Sequence, residues 1–66
     1  MVRETNQVYV GGYVYREYAG LSTDTKPTED VTTGSLFLEV DTGDVYAYDE
    51  TDSGEWNKIA SLGGGN

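Results

Sequence analysis

Two successive strand–turn–strand patterns occupy residues 34–60 of the chain. The run SLFLEV at residues 35–40 is followed by the turn sequence DTGD, in which Gly43 can supply the positive φ of a tight turn. The run VYAYD at residues 45–49 leads through a polar loop to WNKIA at residues 56–60. Two such signals in a row predict a three-stranded antiparallel β-meander.

The first turn sets a register that gives the meander two different faces. Pairing Asp41 with Asp44 closes the turn, and the pairs that follow are Val40–Val45, Leu38–Ala47 and Phe37–Tyr48. One face is aliphatic and is expected to form the core: Leu36, Leu38, Val40, Val45 and Ala47. The other is aromatic and partly charged: Phe37, Glu39, Tyr46 and Tyr48, joined by Trp56 and Lys58. We expect this second face to stay uncovered, because so short a chain has little material left to cover it.

Residues 7–18 (QVYVGGYVYREY) are rich in Val and Tyr, which suit a pleated strand. The Gly11-Gly12 pair interrupts this run and forms either the tight turn of a hairpin or a bulge in one bent strand. The single bent strand is favoured, because each arm of the hairpin would be very short. Period-two alternation then gives one face of Val8, Val10, Val14 and Tyr18 and another of Tyr9, Tyr13, Tyr15 and Glu17.

The sequence therefore predicts an all-β fold, a single domain at residues 1–60. Its small antiparallel sheet consists of the meander and an N-terminal strand or hairpin at about residues 7–18. Residues 20–33 have no clean period and are predicted to form an ordered surface loop, with room for one helical turn at residues 28–30. Residues 61–66 are predicted to be a flexible glycine-rich tail.

Length and composition limit the class of function. The 66 residues include neither Cys nor His, so disulfides and the usual zinc sites are excluded, and partner subunits are expected to support a small core. Twelve acidic residues against four basic ones give a net charge of −8, which repels phosphate and argues against direct nucleic-acid binding. No apolar run reaches the roughly 20 residues of a membrane span, and no signal peptide opens the sequence.

Catalysis and cofactors are not expected. Nucleophilic catalysis lacks its usual base because His is absent, and the chain offers too little bulk for a deep cleft around paired carboxylates. Residues 49–54 (DETDSG) imitate the opening of an EF-hand calcium loop, but Ala60 occupies the position of the required bidentate Glu. A polar hairpin loop is the better interpretation, and no metal is predicted.

The aromatic residues, six Tyr with one Phe and one Trp, are the most informative set. Tyr and Trp are typical of protein interfaces, but in small sheets they also supply the core. The first interpretation predicts an interaction surface formed by Tyr13, Tyr15, Phe37, Tyr46, Tyr48 and Trp56. The second buries aromatic residues in the domain, and both remain open at this point.

Residues 20–28 (GLSTDTKPT), residues 34–49 (GSLFLEVDTGDVYAYD) and Trp56 together resemble small structural proteins of tailed bacteriophages. These include head-fibre, head-decoration and tail-associated proteins. The resemblance implies a virion component, made in the cytoplasm of a bacterial host, that binds a capsid or tail protein and forms a homo-oligomer, with a trimer favoured. The acidic loop at residues 50–55 is longer than the short DG loop of that pattern, which leaves the particular partner open.

The sequence thus favours a non-enzymatic virion protein that acts through protein–protein contacts. One alternative is a carbohydrate-binding module that stacks glycan rings on exposed Tyr and Trp. A second alternative is an acidic DNA mimic that inhibits a host protein, although the carboxylates lie mainly in turns rather than along an elongated face. Contact with a membrane is not expected.

Overall fold

The computed structural model describes residues 1–51 and 54–62, and its strands form a single five-stranded sheet. The strands are β1 (Arg3–Val10), β2 (Tyr13–Gly20), β3 (Leu36–Glu39), β4 (Asp44–Asp49) and β5 (Glu55–Ser61). Their order across the sheet follows their order in the chain. The predicted all-β class is confirmed, and β3, β4 and β5 form the predicted antiparallel meander.

One pair of strands is parallel, so the prediction of a wholly antiparallel sheet is wrong. β2 and β3 run in the same direction and pair from Glu17–Leu36 to Gly20–Glu39. A parallel pair needs a connection of about a dozen residues or more to bring the chain back to the same end of the sheet. Residues 21–35, which we call the crossover, make this connection, and they contain no helical turn at residues 28–30.

The N-terminal segment is a hairpin, so the favoured single bent strand is also wrong. Gly11 and Gly12 have φ values of 55° and 87°, the left-handed conformation that a two-residue turn between antiparallel strands requires. The two strands pair from Val10–Tyr13 to Arg3–Ala19. The arms extend away from the turn to Arg3 and Gly20, beyond the predicted run at residues 7–18. They are therefore long enough to pair.

The hairpin changes which side chains share a face. Val8 lies opposite Tyr15, and the two side chains are on one side of the sheet. Val14 and Tyr18 lie on the other side. The predicted face that joined Val8 and Val10 to Val14 and Tyr18 is wrong, because it carried one alternation straight through the glycine turn.

The register between β3 and β4 differs from the predicted one by two residues. The observed pairs are Leu36–Ala47, Phe37–Tyr46, Leu38–Val45 and Glu39–Asp44. Residues 40–43 form a longer turn, closed by a 2.7 Å hydrogen bond from the N–H of Gly43 to the carbonyl oxygen of Glu39. Because side chains alternate with period two, a shift of two residues leaves the membership of each face unchanged.

The aromatic face of the meander, not the aliphatic one, forms the core. The buried cluster consists of Tyr18, Val31, Phe37 and Tyr48, with Val2, Tyr46 and Trp56 packed against it. The residues predicted to be the core lie on the other side of the sheet: Leu36, Leu38, Val45 and Ala47 are half-buried, and Val40 is 58% exposed. The assignment of core and surface to the two faces was therefore inverted.

The crossover covers the aromatic face, which explains this inversion. Trp56 donates from Nε1 to the carbonyl oxygen of Pro27 at 2.7 Å. The hydroxyl of Tyr48 donates to the carbonyl oxygen of Thr28 at 3.3 Å. Val31 of the crossover enters the buried cluster itself. The rings of Tyr48 and Trp56 can be buried here without cost to their polar atoms, because each finds a backbone acceptor in the crossover.

β5 extends into the segment predicted to be a flexible tail. Ser61 is its last residue, and the N–H of the next residue, Leu62, donates to the carbonyl oxygen of Gly43 in the turn between β3 and β4 at 2.6 Å. The rest of that prediction concerns residues 63–66, which lie outside the described residues, as do Asp52 and Ser53 of the predicted polar loop.

Candidate interaction surfaces

The residues predicted to form one interaction surface are divided between the two sides of the sheet. Phe37 and Tyr48 are buried, and Tyr46 and Trp56 pack against them on the same side. The ring centroid of Trp56 lies 5.8 Å from that of Phe37 and 5.0 Å from that of Tyr48. Phe37 and Tyr48 are therefore core residues and present no surface to a partner.

Tyr13 and Tyr15 lie on the opposite side, at the end of the hairpin. Tyr13 is 62% exposed beside the glycine turn, whereas Tyr15 is half-buried with its ring against the backbone of Gly34. The pairing of β1 with β2 places Val8 and Val10 next to them on this side. These two tyrosines thus belong to a different surface from the other four predicted residues.

A buried ion pair fixes the crossover to the sheet. The Nζ of Lys26 is 2.6 Å from Oε2 of Glu39, whose side chain is 5% exposed. The same ammonium lies 4.9 Å and 4.5 Å from the ring centroids of Phe37 and Tyr46. The other carboxylate oxygen of Glu39 accepts a 2.8 Å hydrogen bond from the hydroxyl of Thr42. Both oxygens are thus occupied by protein donors, which makes this pair a structural element.

The side of the sheet opposite the core carries apolar side chains that the chain itself covers only in part. We call it the aliphatic face, and it consists of Ala19, Leu36, Leu38, Val45, Ala47 and Leu62. A shallow groove of about 230 Å³ runs along it, with Glu17 as the charged side chain at its edge. Contiguous exposed apolar surface with a polar rim is typical of sites that bind another molecule.

A cleft of about 600 Å³ lies on the core side, between the hairpin and the crossover. Val14 and Arg16 line it from β2, and Thr28 and Asp30 line it from the crossover. Arg16 donates from Nε to the carbonyl oxygen of Asp30 at 3.1 Å and pairs with Glu4 at 2.9 Å, which raises the pKa of the guanidinium. Asp30 itself has a φ of 58°, in the left-handed region that a non-glycine residue rarely adopts. The cation of the cleft is thus already bound by protein groups.

A surface clamp holds the start of the crossover to the turn between β3 and β4. The carboxylate of Asp41 accepts hydrogen bonds from the hydroxyl of Ser22 at 2.6 Å and from its N–H at 2.9 Å. The hydroxyl bond is the main reason that the pKa of Asp41 is lowered. A carboxyl whose pKa is lower in the folded state stabilises the fold above its unfolded pKa, and this contribution is lost as pH falls through the folded value.

Asp41→Asn should therefore lower the thermal stability of the domain at neutral pH, and the difference from the wild type should narrow below about pH 4. Thermal melts followed by circular dichroism, from neutral pH to about pH 2.5, measure this difference. Thr23→Ala, a change at an exposed neighbour of the clamp, serves as the control and should reproduce the wild-type profile. A difference that stays constant across the whole pH range would show that ionisation of Asp41 is not the cause.

In residues 1–51 and 54–62, no cluster of acidic side chains is arranged to hold a metal ion. The loop that imitates an EF-hand includes Asp52 and Ser53, which lie outside the described residues. Its first residue, Asp49, accepts a 2.9 Å hydrogen bond from the N–H of Thr51, and this bond lowers its pKa. The described part of the chain also has no helix that could span a membrane.

The exposed apolar residues of β1 were missing from the predicted site. Val8, Tyr9 and Val10 are 43%, 73% and 53% exposed. The signal that could have found them is charge: residues 7–15 carry none, although 24% of the whole chain is charged. Comparisons of the chain with family models, with curated proteins and with solved structures give no match.

Proposed function

We propose that the chain is a non-enzymatic structural protein of a bacteriophage virion that assembles through its aliphatic face. The observation that carries this proposal is the partly exposed aliphatic face, on a domain whose buried apolar cluster has four members among the residues that the structure describes. A domain of this size is marginally stable alone, and burial of further apolar surface against a partner is a common remedy. The phage-like string at residues 20–28 and 34–49 supplies the biological setting.

The aliphatic face has dimensions that suit a protein–protein contact. The face extends over β2 to β5, and four strands spaced about 4.8 Å apart span roughly 19 Å, while strands of four to eight residues are roughly 13–26 Å long. The flat area is then at most about 500 Å² per subunit, or about 1,000 Å² for two, which is the lower bound of a specific interface. Contacts between identical subunits are the more apolar class, which agrees with the composition of this face. We therefore favour a homo-oligomer; that it is a trimer bound to a capsid or tail protein is what the resemblance to phage structural proteins implies.

The two alternative functions lose support from the contacts. The carbohydrate alternative used Tyr48 and Trp56, whose polar atoms are bonded to the crossover and whose rings pack in or against the core. A DNA mimic needs a row of free carboxylates, whereas those of Glu4, Glu39 and Asp41 are engaged by donors of the same chain. Both alternatives therefore rank below assembly through the aliphatic face.

Substitution of Leu38 by Glu should abolish assembly through this face. The wild type should sediment as an oligomer at micromolar concentration, whereas Leu38→Glu should sediment as a folded species no larger than a dimer, because a carboxylate on this face would be buried without a partner. Thr25→Glu adds the same charge at an exposed position of the crossover and should leave assembly unchanged. Circular dichroism of each variant confirms that it is folded.

A wild type that stays monomeric at all concentrations, or a Leu38→Glu variant that assembles like the wild type, would contradict assembly by this face.

The proposal that the chain is a virion protein has its own test. Mass spectrometry of purified phage particles whose genome encodes the chain should detect it in every preparation, and its complete absence from such particles would end that part of the proposal.

A further inference from the structure

β1 is an edge strand of the sheet, and its residues 7–10 lack the features that normally prevent an edge strand from pairing with another strand. All eight residues of β1 are exposed. Edges are normally blunted by charges, prolines or bulges. The opposite edge, β5, has Glu55 and Lys58 and an irregularity beside Lys58. In β1 the charges and the irregularity lie between Arg3 and Asn6, so residues 7–10 are regular, uncharged and free of proline.

The hairpin geometry shows which backbone groups of β1 face outward. In a two-residue hairpin the residues that flank the turn, here Val10 and Tyr13, form a hydrogen-bonded pair, and such pairs alternate along the ladder. The backbone groups of Val8 and Val10 are therefore used by β2. Those of Gln7 and Tyr9 point away from the sheet and can accept a further strand.

A series of side-chain hydrogen bonds fixes the position of Tyr9 on this edge strand. The hydroxyl of Tyr9 donates to Oε1 of Gln7 at 2.9 Å, and Nε2 of Gln7 donates to Glu4. Glu4 in turn pairs with Arg16 of β2 at 2.9 Å. These bonds hold the exposed Tyr9 ring against its own strand, so less side-chain freedom is lost when another strand pairs with the edge.

Residues 8–10 read Val-Tyr-Val in both directions, which makes this edge self-complementary in antiparallel pairing. We propose that β1 pairs with β1 of a second copy, centred on Tyr9. In this register Tyr9 lies opposite Tyr9 of the second copy, and Val8 lies opposite Val10 of that copy. Like-charge pairs are avoided, because Glu4 extends beyond the glycine turn of the other hairpin. The absence of charge in residues 7–15 removes the main obstacle to contact between two chains of net charge −8.

This contact goes beyond the proposed function and does not depend on it, because it uses the edge of the sheet and not the aliphatic face. It is an isologous two-fold contact, in which the same residues contribute from both copies. Two hydrogen bonds between the Tyr9 backbones lie at its centre, and the buried area is below the roughly 1,000 Å² of a stable interface. The contact therefore belongs to the weak, concentration-dependent class, for which covalent trapping is the suitable test.

Tyr9→Cys should form a disulfide-linked dimer much faster than a matched control. Directly opposed residues of a hydrogen-bonded antiparallel pair have Cα atoms about 5.5 Å apart, within the range that a disulfide spans. The chain has no cysteine of its own, so every crosslink reports the introduced residue. Tyr13→Cys is the control, since Tyr13 is similarly exposed but lies on β2, one strand further from the proposed contact. Under a glutathione redox buffer, we expect the Tyr9→Cys dimer to form at least about tenfold faster. Equal rates would overturn the proposal.

A non-covalent measurement separates this contact from assembly by the aliphatic face. Sedimentation of Leu38→Glu at rising concentration should show a monomer–dimer equilibrium, and adding Tyr9→Pro should remove it. Proline at Tyr9 deletes an N–H that β2 does not use, so the hairpin should survive. A Leu38→Glu variant that stays monomeric at every concentration overturns the edge contact and leaves assembly by the face intact. Conversely, a wild type that forms nothing larger than a dimer, and becomes monomeric when Tyr9→Pro is introduced, would support the edge contact and refute assembly by the aliphatic face.

Discussion

Phe37→Ala is expected to leave the domain largely unfolded at room temperature. Phe37 is fully buried and lies at the centre of the aromatic cluster. Its ring lies against the backbone of β2, where a Cβ on Gly20 would come within 2.9 Å of it, and its centroid is 6.3 Å and 5.8 Å from those of Tyr18 and Trp56, so truncation removes contacts with backbone and with two aromatic rings. Removal of such a ring costs about 3–5 kcal/mol. A single core in a chain of this length rarely supplies more than about 3–5 kcal/mol in total.

Urea unfolding followed by circular dichroism measures this effect. Val40→Ala is the control, because Val40 was predicted to lie in the core with the aliphatic residues but is 58% exposed, and its truncation should change the free energy of unfolding by less than about 0.5 kcal/mol. If Val40→Ala were as damaging as Phe37→Ala, the core would lie on the aliphatic side of the sheet after all, and the position of the crossover would be wrong.

The second large effect is expected from Lys26→Met. This change leaves the buried carboxylate of Glu39 without its cation, which typically costs about 3 kcal/mol or more. The loss should be recovered in the double variant Lys26→Met/Glu39→Met, because a buried ion pair can be replaced by apolar residues of similar volume at little cost. Thr42, the other partner of Glu39, is exposed and can turn its hydroxyl to water.

Chemical unfolding of the wild type, both single variants and the double variant gives a complete double-mutant cycle for this pair. Lys58→Met is the matched control on the same side of the sheet. Lys58 is 3.8 Å from Asp44 and its side chain is 54% exposed, so this loss should be below about 1 kcal/mol. Additive effects of the two single substitutions, with no recovery in the double variant, would contradict a coupled buried pair.

The meander could be predicted from sequence because its signals are local. The turn residues around Gly43 and the alternation of residues 35–40 and 45–49 require no knowledge of the rest of the chain. The two-residue error in register had no effect on the faces, since the period of a strand is two. The hairpin at Gly11-Gly12 was missed only because the strands extend beyond the Val- and Tyr-rich run on which the prediction relied.

The identity of the covered face could not be predicted, because it depends on where the crossover lies. Residues 21–35 contain few apolar side chains and no periodicity, so nothing local indicates that they cover a core. They are held on the aromatic side by polar contacts, among them the ion pair of Lys26 and the backbone acceptors of Pro27 and Thr28. Such contacts form only after the chain has folded, so the two faces of the meander could be listed correctly and still be assigned the wrong way round.

The parallel pairing of β2 with β3 has a consequence for the order in which the domain folds. The hairpin and the meander each join strands that are neighbours in sequence, so each can form with a small loss of loop-closure entropy. Among the described strands, β2 and β3 form the one ladder that pairs these halves, and the core is completed when the crossover closes over it. Folding should therefore end in one late docking step. Before that step both faces of the meander are open to solvent, so self-association competes with folding most strongly at that stage.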